Sequence, residues 1–316
     1  MEKNIFECCV ITPMFLNGIG QKPELRESSL KGVLRYFYRV LSAQSSLEIL
    51  KEEEAKYFGS SDINVGSSKL RIRFEDTDDN IVKKQKLIYH KAHERDAFVE
   101  GKKFRIIASS NEELQFFTKL IILTLTLGGL GKRSRRGRGS IKVLSCSDKS
   151  VPILTNYSDF IQELYSILED LFPSKYTVDD NKIKLINFPN LSSSEDYPYV
   201  KEIKIGNGFD NWLDILKNVD DASHSFRKMS NAYCLGYVDD GSKRFASPIY
   251  ITVVKLGSLY YPLVTTLNTV MDKKFNNCCV KVQEDYKNSI LTGGMVIWEK
   301  NYSYIQLHLS KVLFLL

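Results

Sequence analysis

The sequence lacks the cysteine pairs and the long apolar stretches that mark zinc-ribbon, disulfide-rich, membrane-spanning and secreted proteins. Its six cysteines include no C-x-x-C pair, so neither a zinc ribbon nor a disulfide framework is indicated, and we expect reduced, mostly buried thiols. The longest apolar stretch, Leu120 to Leu127, is too short to span a bilayer. The first residues contain no apolar run of signal-peptide length. We therefore expect a cytoplasmic protein with no membrane partner.

Histidine is scarce, which limits the catalytic and metal chemistry open to the chain. The four histidines are His90, His93, His224 and His308. His90 and His93 could share a metal ion on a helix, but their segment has the pattern of a strand and a turn, and no third ligand is evident. We therefore predict no catalytic residue, metal site or cofactor.

Two further segments fall short of ligand-binding motifs. Gly206-Asn207-Gly208 lacks the third glycine of a dinucleotide fingerprint, and Gly128 to Lys132 lacks the spacing of a P-loop. Asp239-Asp240 is most simply a turn with Gly241, although an acidic pair could bind Mg²⁺ if other ligands joined it. Nucleotide-dependent catalysis is therefore unsupported.

Length and composition indicate a folded chain in which the position of the cations matters more than their number. The 316 residues suggest about two domains of ordinary size. A hydrophobic content of 43% with 26% charged residues is typical of folded proteins. The 44 basic and 38 acidic residues give a net charge of only +6, so function must be sought where the cations cluster.

The densest cationic cluster is a glycine-rich segment at residues 128–142, called here the basic loop. Glycine allows positive φ, so that successive backbone amides can converge on phosphate oxygens, and arginine offers a planar fork of donors that matches phosphate. We predict an RNA or other anion site; the alternative is a solvated basic loop after a glycine helix stop. The predicted RNA-binding side chains are Lys132, Arg133, Arg135, Arg136 and Arg138, and the predicted phosphate-binding backbone is that of Gly129, Gly131, Gly137 and Gly139.

A second cationic cluster lies on a predicted helix. From Leu30 to Ala43 the apolar residues recur with helical spacing, and Ser28 is the predicted N-cap. The other face either binds RNA, as we predict, or is an ordinary exposed cationic face; its cations are Lys31, Arg35 and Arg39. A third RNA-binding pair is predicted in the second half, Lys243 and Arg244. The candidates for base stacking are Tyr36, Tyr38 and Phe58, the last of which is equally suited to the core.

The order of the predicted elements favours an α+β fold. A strand at 6–12 precedes the cationic helix, strands at 70–75, 86–90 and 103–108, a helix to Leu127, the basic loop and a strand at 140–146. That is the split βαβ order (βαββαβ) of a ferredoxin-like or RRM-like domain. The second helix opens with a predicted capping box of Ser110 and Glu113. Because it is apolar nearly all round, we expect it between a sheet and a second domain.

The polar stretch at 147–152 is the predicted domain boundary. Residues 1–147 would form an N-terminal ferredoxin-like domain with the basic loop, and residues 148–316 a C-terminal ferredoxin-like domain packed against it. In the second half we predict helices at 159–172 and 211–232, and a third that begins with Pro262 at its N1 position. An alternating strand at 302–309 closes the chain.

Four stretches, in this order, resemble motifs of the RAMP superfamily of CRISPR effector subunits. They are Thr12-Pro13-Met14-Phe15 with Glu24 to Arg35, Lys56-Tyr57-Phe58-Gly59-Ser60-Ser61, Gly128 to Ile141, and Arg244-Phe245-Ala246-Ser247-Pro248. The glycine-rich loop alone indicates a RAMP protein. The first and fourth stretches together are most similar to the large two-domain first subunit of type III-B Cmr complexes.

This resemblance implies two packed ferredoxin-like domains and a non-catalytic role in an antiviral ribonucleoprotein. Such subunits hold the 3′ part of the guide RNA (crRNA) and the adjoining single-stranded target RNA, beside other Cmr subunits. Two alternatives stay open. One is a metal-independent RAMP endoribonuclease that processes guide precursors, with His93 beside Arg95 as general base. The other is a structural adaptor whose basic loop meets an acidic protein.

Overall fold

The computed structural model describes residues 1–60, 65–78, 82–189, 197–227, 232–238, 244–268 and 280–293. Within these residues the chain forms antiparallel sheets of four and five strands, two small two-stranded sheets and six α-helices. The fold is therefore α+β, as the element order predicts. No helix in this part of the chain is both long and apolar enough to cross a membrane.

The first half contributes six strands and three helices. Its elements are β1 (Glu2–Val10), α1 (Glu27–Ser42), α2 (Leu47–Phe58), β2 (Arg71–Asp76), β3 (Val82–Lys86), β4 (Glu94–Phe98), β5 (Lys103–Ser110), α3 (Leu114–Leu127) and β6 (Ile141–Cys146). Four strands form a sheet in the order β2-β5-β1-β6, and β3 pairs with β4. The chain thus passes from the inner strand β1 to the edge strand β2, back to β5, and out to the edge strand β6.

The second half contributes three helices and a five-stranded sheet. Its elements are α4 (Phe160–Leu171), β7 (Tyr176–Asp179), β8 (Lys182–Leu185), β9 (Val200–Ile205), α5 (Trp212–Arg227), β10 (Tyr237–Val238), β11 (Arg244–Phe245), β12 (Ile249–Leu256), β13 (Leu259–Leu267) and α6 (Val280–Thr292). The sheet order is β12-β13-β9-β8-β7, with every pairing antiparallel. The predicted strand at 302–309 lies outside the described residues, and β8 occupies the place beside β9.

Helix α3 lies between the two sheets, which confirms the prediction from its all-round apolar surface. It contacts β1, β5 and β6 of the first sheet and β12 and β13 of the second. Nine of its 14 residues are buried. Along β12 the side chains alternate between two cores: Tyr250 and Val254 belong to the core that contains α3, and Ile251 and Val253 to the core that contains α5 and α6.

Two predicted helix caps are wrong. Helix α1 begins at Glu27 with Arg26 as its N-cap, so that Ser28 lies inside the first turn. Helix α3 has Glu113 at its N-cap, in the left-handed region with φ 60°. The Ser110 hydroxyl instead accepts a hydrogen bond from the amide of Glu112 at 3.3 Å, which is a local turn rather than a capping box.

Two strand and helix predictions also fail. The strand predicted at 86–90 ends at Lys86, and the residues after it form a turn. Pro262 begins no helix but lies within β13, opposite Val253 of β12. It has no N–H to donate, yet its carbonyl accepts from the amide of Gly206 at 2.9 Å. Pairing on both sides of β13 therefore overrides the local preference of proline for a helix start.

A buried tyrosine ties the end of α1 to the second sheet. The Tyr176 hydroxyl donates to the carbonyl of Leu41 at 2.7 Å, and the side chain is 1% exposed. Burial raises the pKa of this hydroxyl well above its ordinary value. The neutral form is therefore the one that the folded state requires.

We expect the free energy of unfolding to fall as the pH rises above about 10, because the unfolded chain then releases a proton that folded Tyr176 retains. Tyr176→Phe should lower the free energy of unfolding near neutral pH by about 1 kcal/mol, the typical net value of a hydrogen bond. The same variant should show a shallower decline above about pH 10. Urea denaturation across this pH range measures both effects, and equal alkaline slopes in the two proteins would contradict the assignment.

Candidate nucleic-acid interface

The basic loop starts where α3 ends at Gly128 and folds tightly on itself and on neighbouring backbone. Gly129, Gly131, Gly137 and Gly139 all have positive φ, from 65° to 91°. A Cβ at Gly139 would lie 1.8 Å from the carbonyl oxygen of Leu130, and one at Gly131 would lie 2.7 Å from that of Phe15. Glycine is therefore needed at these positions both for the backbone conformation and for close approach of the chain.

Several amides of the basic loop already have partners within the chain. The amide of Gly137 donates to Ile251 O at 2.7 Å, and that of Gly139 donates to Pro13 O at 3.0 Å. The amide of Lys132 likewise donates to Phe15 O at 3.0 Å. These hydrogens are not available to a phosphate in this conformation, so the predicted cradle of loop amides cannot include Gly137 or Gly139 here.

The side chain of Arg138 is fully buried against a carboxylate from the second half. Its guanidinium forms a two-pronged contact with Asp220 of α5, with Nη1 to Oδ1 at 3.0 Å, and both side chains are 0% exposed. Arg133 reaches the same carboxylate at 3.0 Å, and the backbone amide of Tyr89 donates to it at 2.8 Å. Asp220 is thus held by donors from two separate segments of the first half.

Two further arginines of the loop also bind the second half. Arg136 is 8% exposed and donates to the Tyr286 hydroxyl at 2.7 Å and to Leu235 O at 2.8 Å. Arg135 donates to Ser247 O at 2.5 Å. Its guanidinium also stacks over the ring of Tyr250, 4.5 Å from the ring centre. Ser247 belongs to the fourth RAMP-like stretch, so two of the four motifs meet here.

These contacts define a clasp between the halves, formed by the loop arginines together with Asp220, Ser247 and Tyr286. In this structure Arg136 and Arg138 are internal, Arg133 and Arg135 are partly exposed, and Lys132 is exposed. Asp220 was not among the predicted site residues. The sequence carries a weak signal for it, because it is an acidic residue of a predicted helix with the apolar Leu216 one turn before it.

Two of the three predicted cations of α1, Arg35 and Arg39, share a buried carboxylate on α2. Arg35 Nε lies 2.6 Å from Glu54 Oε1, and Arg39 Nη1 lies 3.0 Å from the same oxygen. The arginine side chains are 41% and 40% exposed, whereas that of Glu54 is 7% exposed. Each guanidinium therefore presents part of its donor edge to solvent while Glu54 fixes its position.

Lys31 and Arg35 line an open groove of about 780 Å³ between α1 and α2, called here the α1–α2 groove. Lys51 and Glu54 line it from α2. The rest of its wall includes the Phe-Gly-Ser motif and the strand-like segment opposite, namely Phe58, Gly59, Ser60, Gly66, Ser67 and Ser68. Partial burial, reinforced by the charge of Arg35, lowers the pKa of Lys31. A bound anion would relieve this crowding of positive charge.

Two of the three predicted stacking residues are buried, and the third, Tyr36, is partly exposed. Tyr38 and Phe58 are each 3% exposed and belong to a cluster of aromatic rings with Tyr57 and Phe116. The ring of Tyr36 lies beneath the Arg135 guanidinium, 5.4 Å from its centre. This contact brings the basic loop to α1. Of the third predicted pair, Lys243 lies outside the described residues and Arg244 begins β11.

The three histidines in the described part of the chain, His90, His93 and His224, lie in no group of metal ligands. Arg95 Nε lies 3.0 Å from His93 Nε2 on the surface, and the ring of His90 lies 5.0 Å from that of His224. Within the described part of the chain no three His, Cys, Asp or Glu side chains are grouped so that they could hold a metal ion. Asp239 and Asp240 lie outside that part.

Comparison with known proteins gives related sequences and folds. A profile described as RAMP superfamily matches residues 8–142. CRISPR system Cmr subunit Cmr1-2 of Pyrococcus furiosus is 31% identical over 180 residues, which cover 45% of this chain and 96% of the relative. Cmr subunit Cmr1-1 of the same organism is 23% identical over 279 residues, which cover 76% of this chain and 79% of the relative.

Two solved structures share the fold. The crystal structure of Cmr1 from Pyrococcus furiosus in its apo form matches with a TM-score of 0.60 and 18% identity, over 93% of this chain and 100% of that one. A chain of the cryo-EM structure of the type III-B Cmr-beta complex bound to cognate target RNA matches with a TM-score of 0.56 and 11% identity, over 91% and 99% respectively.

We expect Arg138→Ala to lower the free energy of unfolding by about 3–5 kcal/mol, because it leaves a buried carboxylate with too few donors. Arg138→Met combined with Asp220→Asn should recover part of that loss, since the neutral amide needs fewer donors while its oxygen still accepts from Arg133 or from the amide of Tyr89. Urea denaturation measures both. Lys217→Ala, which removes an exposed ion pair with Asp214 on the same helix, is the control and should change stability by less than about 1 kcal/mol. Equal, small losses in Arg138→Ala and Lys217→Ala would contradict the role of the clasp.

A matched pair of glycine variants tests the close approach within the loop. Gly139 and Gly20 have nearly the same φ, 68° and 69°, but a Cβ at Gly20 meets nothing within 4 Å. Gly20→Ala should therefore lower the free energy of unfolding by roughly 1 kcal/mol, the cost of the left-handed backbone alone. Gly139→Ala should lower it by more, because the new methyl group clashes with Leu130. Thermal or urea unfolding compares the two. Equal losses would mean that the loop can move away from the new methyl group.

Proposed function

Because the chain belongs to the RAMP superfamily, with a Cmr1 subunit among its relatives, we propose that it is a non-catalytic RNA-binding subunit of a type III-B CRISPR (Cmr) ribonucleoprotein. Its partners would be other Cmr subunits, the guide RNA and single-stranded target RNA, in the cytoplasm. We further propose that it holds the 3′ part of the guide and the adjoining target. The Cmr-beta complex that contains a chain of the same fold is bound to cognate target RNA, which supports a place for this fold in an RNA-bound assembly.

The domain arrangement that we propose is two ferredoxin-like units divided near residue 147. The strand order β2-β5-β1-β6, with α1 between β1 and β2 and α3 between β5 and β6, supports this reading for the first unit. The second unit repeats this succession of strands and helices. Its main elements follow in the order β9, α5, β12, β13 and α6. The hairpin of β7 and β8 adds two strands to that sheet.

The α1–α2 groove is the observation that carries the proposed function. Lys31 and Lys51 line it and form no ion pair with any described residue, while Arg35 holds the buried Glu54 and is still partly exposed. An open groove with several cations and one neutralised carboxylate attracts phosphate groups. The Phe-Gly-Ser motif forms part of its wall, so a family motif lies beside these lysines, of which Lys31 also donates to Leu70 O at 3.4 Å. Exposed Lys132 could add a contact from the basic loop.

We expect Lys31→Ala with Lys51→Ala to weaken binding of single-stranded RNA without unfolding the protein, since neither lysine supports Glu54. For two lost phosphate contacts, the slope of log K against log salt should become shallower by about 1.4, which is about 25-fold in affinity at about 0.1 M salt. Fluorescence anisotropy of a labelled single-stranded RNA at several salt concentrations measures both quantities. A gel of the same RNA shows whether it is cut.

The matched control removes two exposed lysines outside the groove, Lys83→Ala with Lys217→Ala. It has the same net charge as the test variant. A difference in RNA affinity or salt slope between the two variants therefore comes from where the lysines lie and not from the change in net charge. Equal salt slopes for the two variants would remove the groove from the RNA-binding surface. Cut RNA on the gel would instead support the endoribonuclease alternative.

A further inference from the structure

Stacking of RNA bases requires a free ring face; of the three rings predicted for it, Tyr38 and Phe58 are buried, and Arg135 lies over the partly exposed ring of Tyr36. Among the described residues, the exposed large apolar side chains include two aromatic ones, Tyr157 at 48% and Phe188 at 57% exposure. Tyr157 is already stacked on Tyr261, with ring centres 4.6 Å apart and planes at 20°. Phe188 lies just beyond β8 and is stacked on no aromatic ring of the described part of the chain. The ring of Tyr199 lies 6.4 Å away and is tilted by 48°.

A cation lies beside Phe188 within the described part of the chain. The ammonium of Lys201 lies 5.8 Å from the centre of the Phe188 ring. Lys201, on β9, is exposed. Ile186 adds one exposed apolar side chain, 48% exposed. An exposed ring beside an ammonium group suits a nucleotide, because the base can stack on the ring while the phosphate meets the cation.

A row of aromatic contacts leads from the end of α1 to Phe188. Just beyond α1, the carbonyl of Gln44 accepts from the Tyr197 hydroxyl at 2.7 Å. The ring of Tyr197 lies 6.1 Å from that of Tyr199, which is the neighbour of Phe188. The cationic face of α1 ends at Arg39, one turn before this row begins. These contacts connect the end of α1, which carries one wall of the α1–α2 groove, with the segment that carries Phe188.

We propose that Phe188 is a base-stacking residue of the RNA-binding surface and that Lys201 contacts the adjoining phosphate. The inference rests on the proposed function, which it extends from the first half to the second sheet. An apolar protein surface is a poorer fit for this patch, because burying the Lys201 ammonium against it would be unfavourable.

Phe188→Ala should lower the affinity of the full chain for single-stranded RNA about tenfold, the size of effect expected from loss of one stacked base. Because phenylalanine carries no charge, the salt slope should stay unchanged, in contrast to the Lys31 and Lys51 double variant. Phe188→Trp should keep wild-type affinity. RNA containing 2-aminopurine, whose fluorescence is quenched by stacking, should lose part of its quench with Phe188→Ala and keep it with Phe188→Trp.

Tyr157→Ala is the control for the loss of an exposed aromatic residue and should leave affinity and quench unchanged. Unfolding midpoints of all variants establish that they are folded. If Phe188→Ala binds as tightly as wild type with the quench intact, the inference is wrong while the groove result stands. If wild type fails to bind single-stranded RNA at all, both proposals fail. If Phe188→Ala loses only the association with another Cmr subunit, the patch is a protein interface and the inference is wrong.

Discussion

The packing of the two halves depends on the buried carboxylate of Asp220. Arg138, Arg133 and the backbone amide of Tyr89 all donate to it, and all three belong to the first half, whereas Asp220 lies on α5. A buried carboxylate is unfavourable unless such donors surround it, and a buried guanidinium is unfavourable without an acid. Each group therefore requires the other. The basic loop can deliver two arginines to one point only because its glycines allow the chain to fold so closely, above all Gly139 against Leu130.

This arrangement determines which cations remain for a ligand. Arg136 and Arg138 are internal, so the densest run of positive charge in the sequence contributes little to the surface. On α1 the charges of Arg35 and Arg39 are partly offset by Glu54, but a guanidinium has five donors and can hold a carboxylate with one edge while another faces solvent. Lys31 and Lys51 complete the groove. Affinity for RNA in a chain with a net charge of +6 would thus come from a few fixed positions rather than from a broad basic surface.

Periodicity and motifs predict the α+β class, the place of α3 between two layers and the cationic face of α1, because each is encoded by residues close together in the chain. They do not predict where the loop arginines point, since that depends on Asp220, 82 residues from Arg138. Pro262 is a similar case, because its place in β13 is decided by pairing with β12 and β9. Tyr38 and Phe58 have the residue type for stacking, but aromatic neighbours from α2 and α3 cover them.

Glycine and arginine in one loop have two physical explanations, a cradle for phosphate and a tight junction between domains. They differ in the partners of the amides, and in this structure Gly137 and Gly139 donate to Ile251 and Pro13. The junction still bears on RNA, because it places α1 against the second sheet: Tyr36 lies under Arg135 near the middle of the helix, and Leu41 accepts from Tyr176 at its end. An RNA strand that contacted both the α1–α2 groove and Phe188 would bind surfaces from both halves of the chain. Its affinity would then depend on how rigidly the buried clasp holds them together.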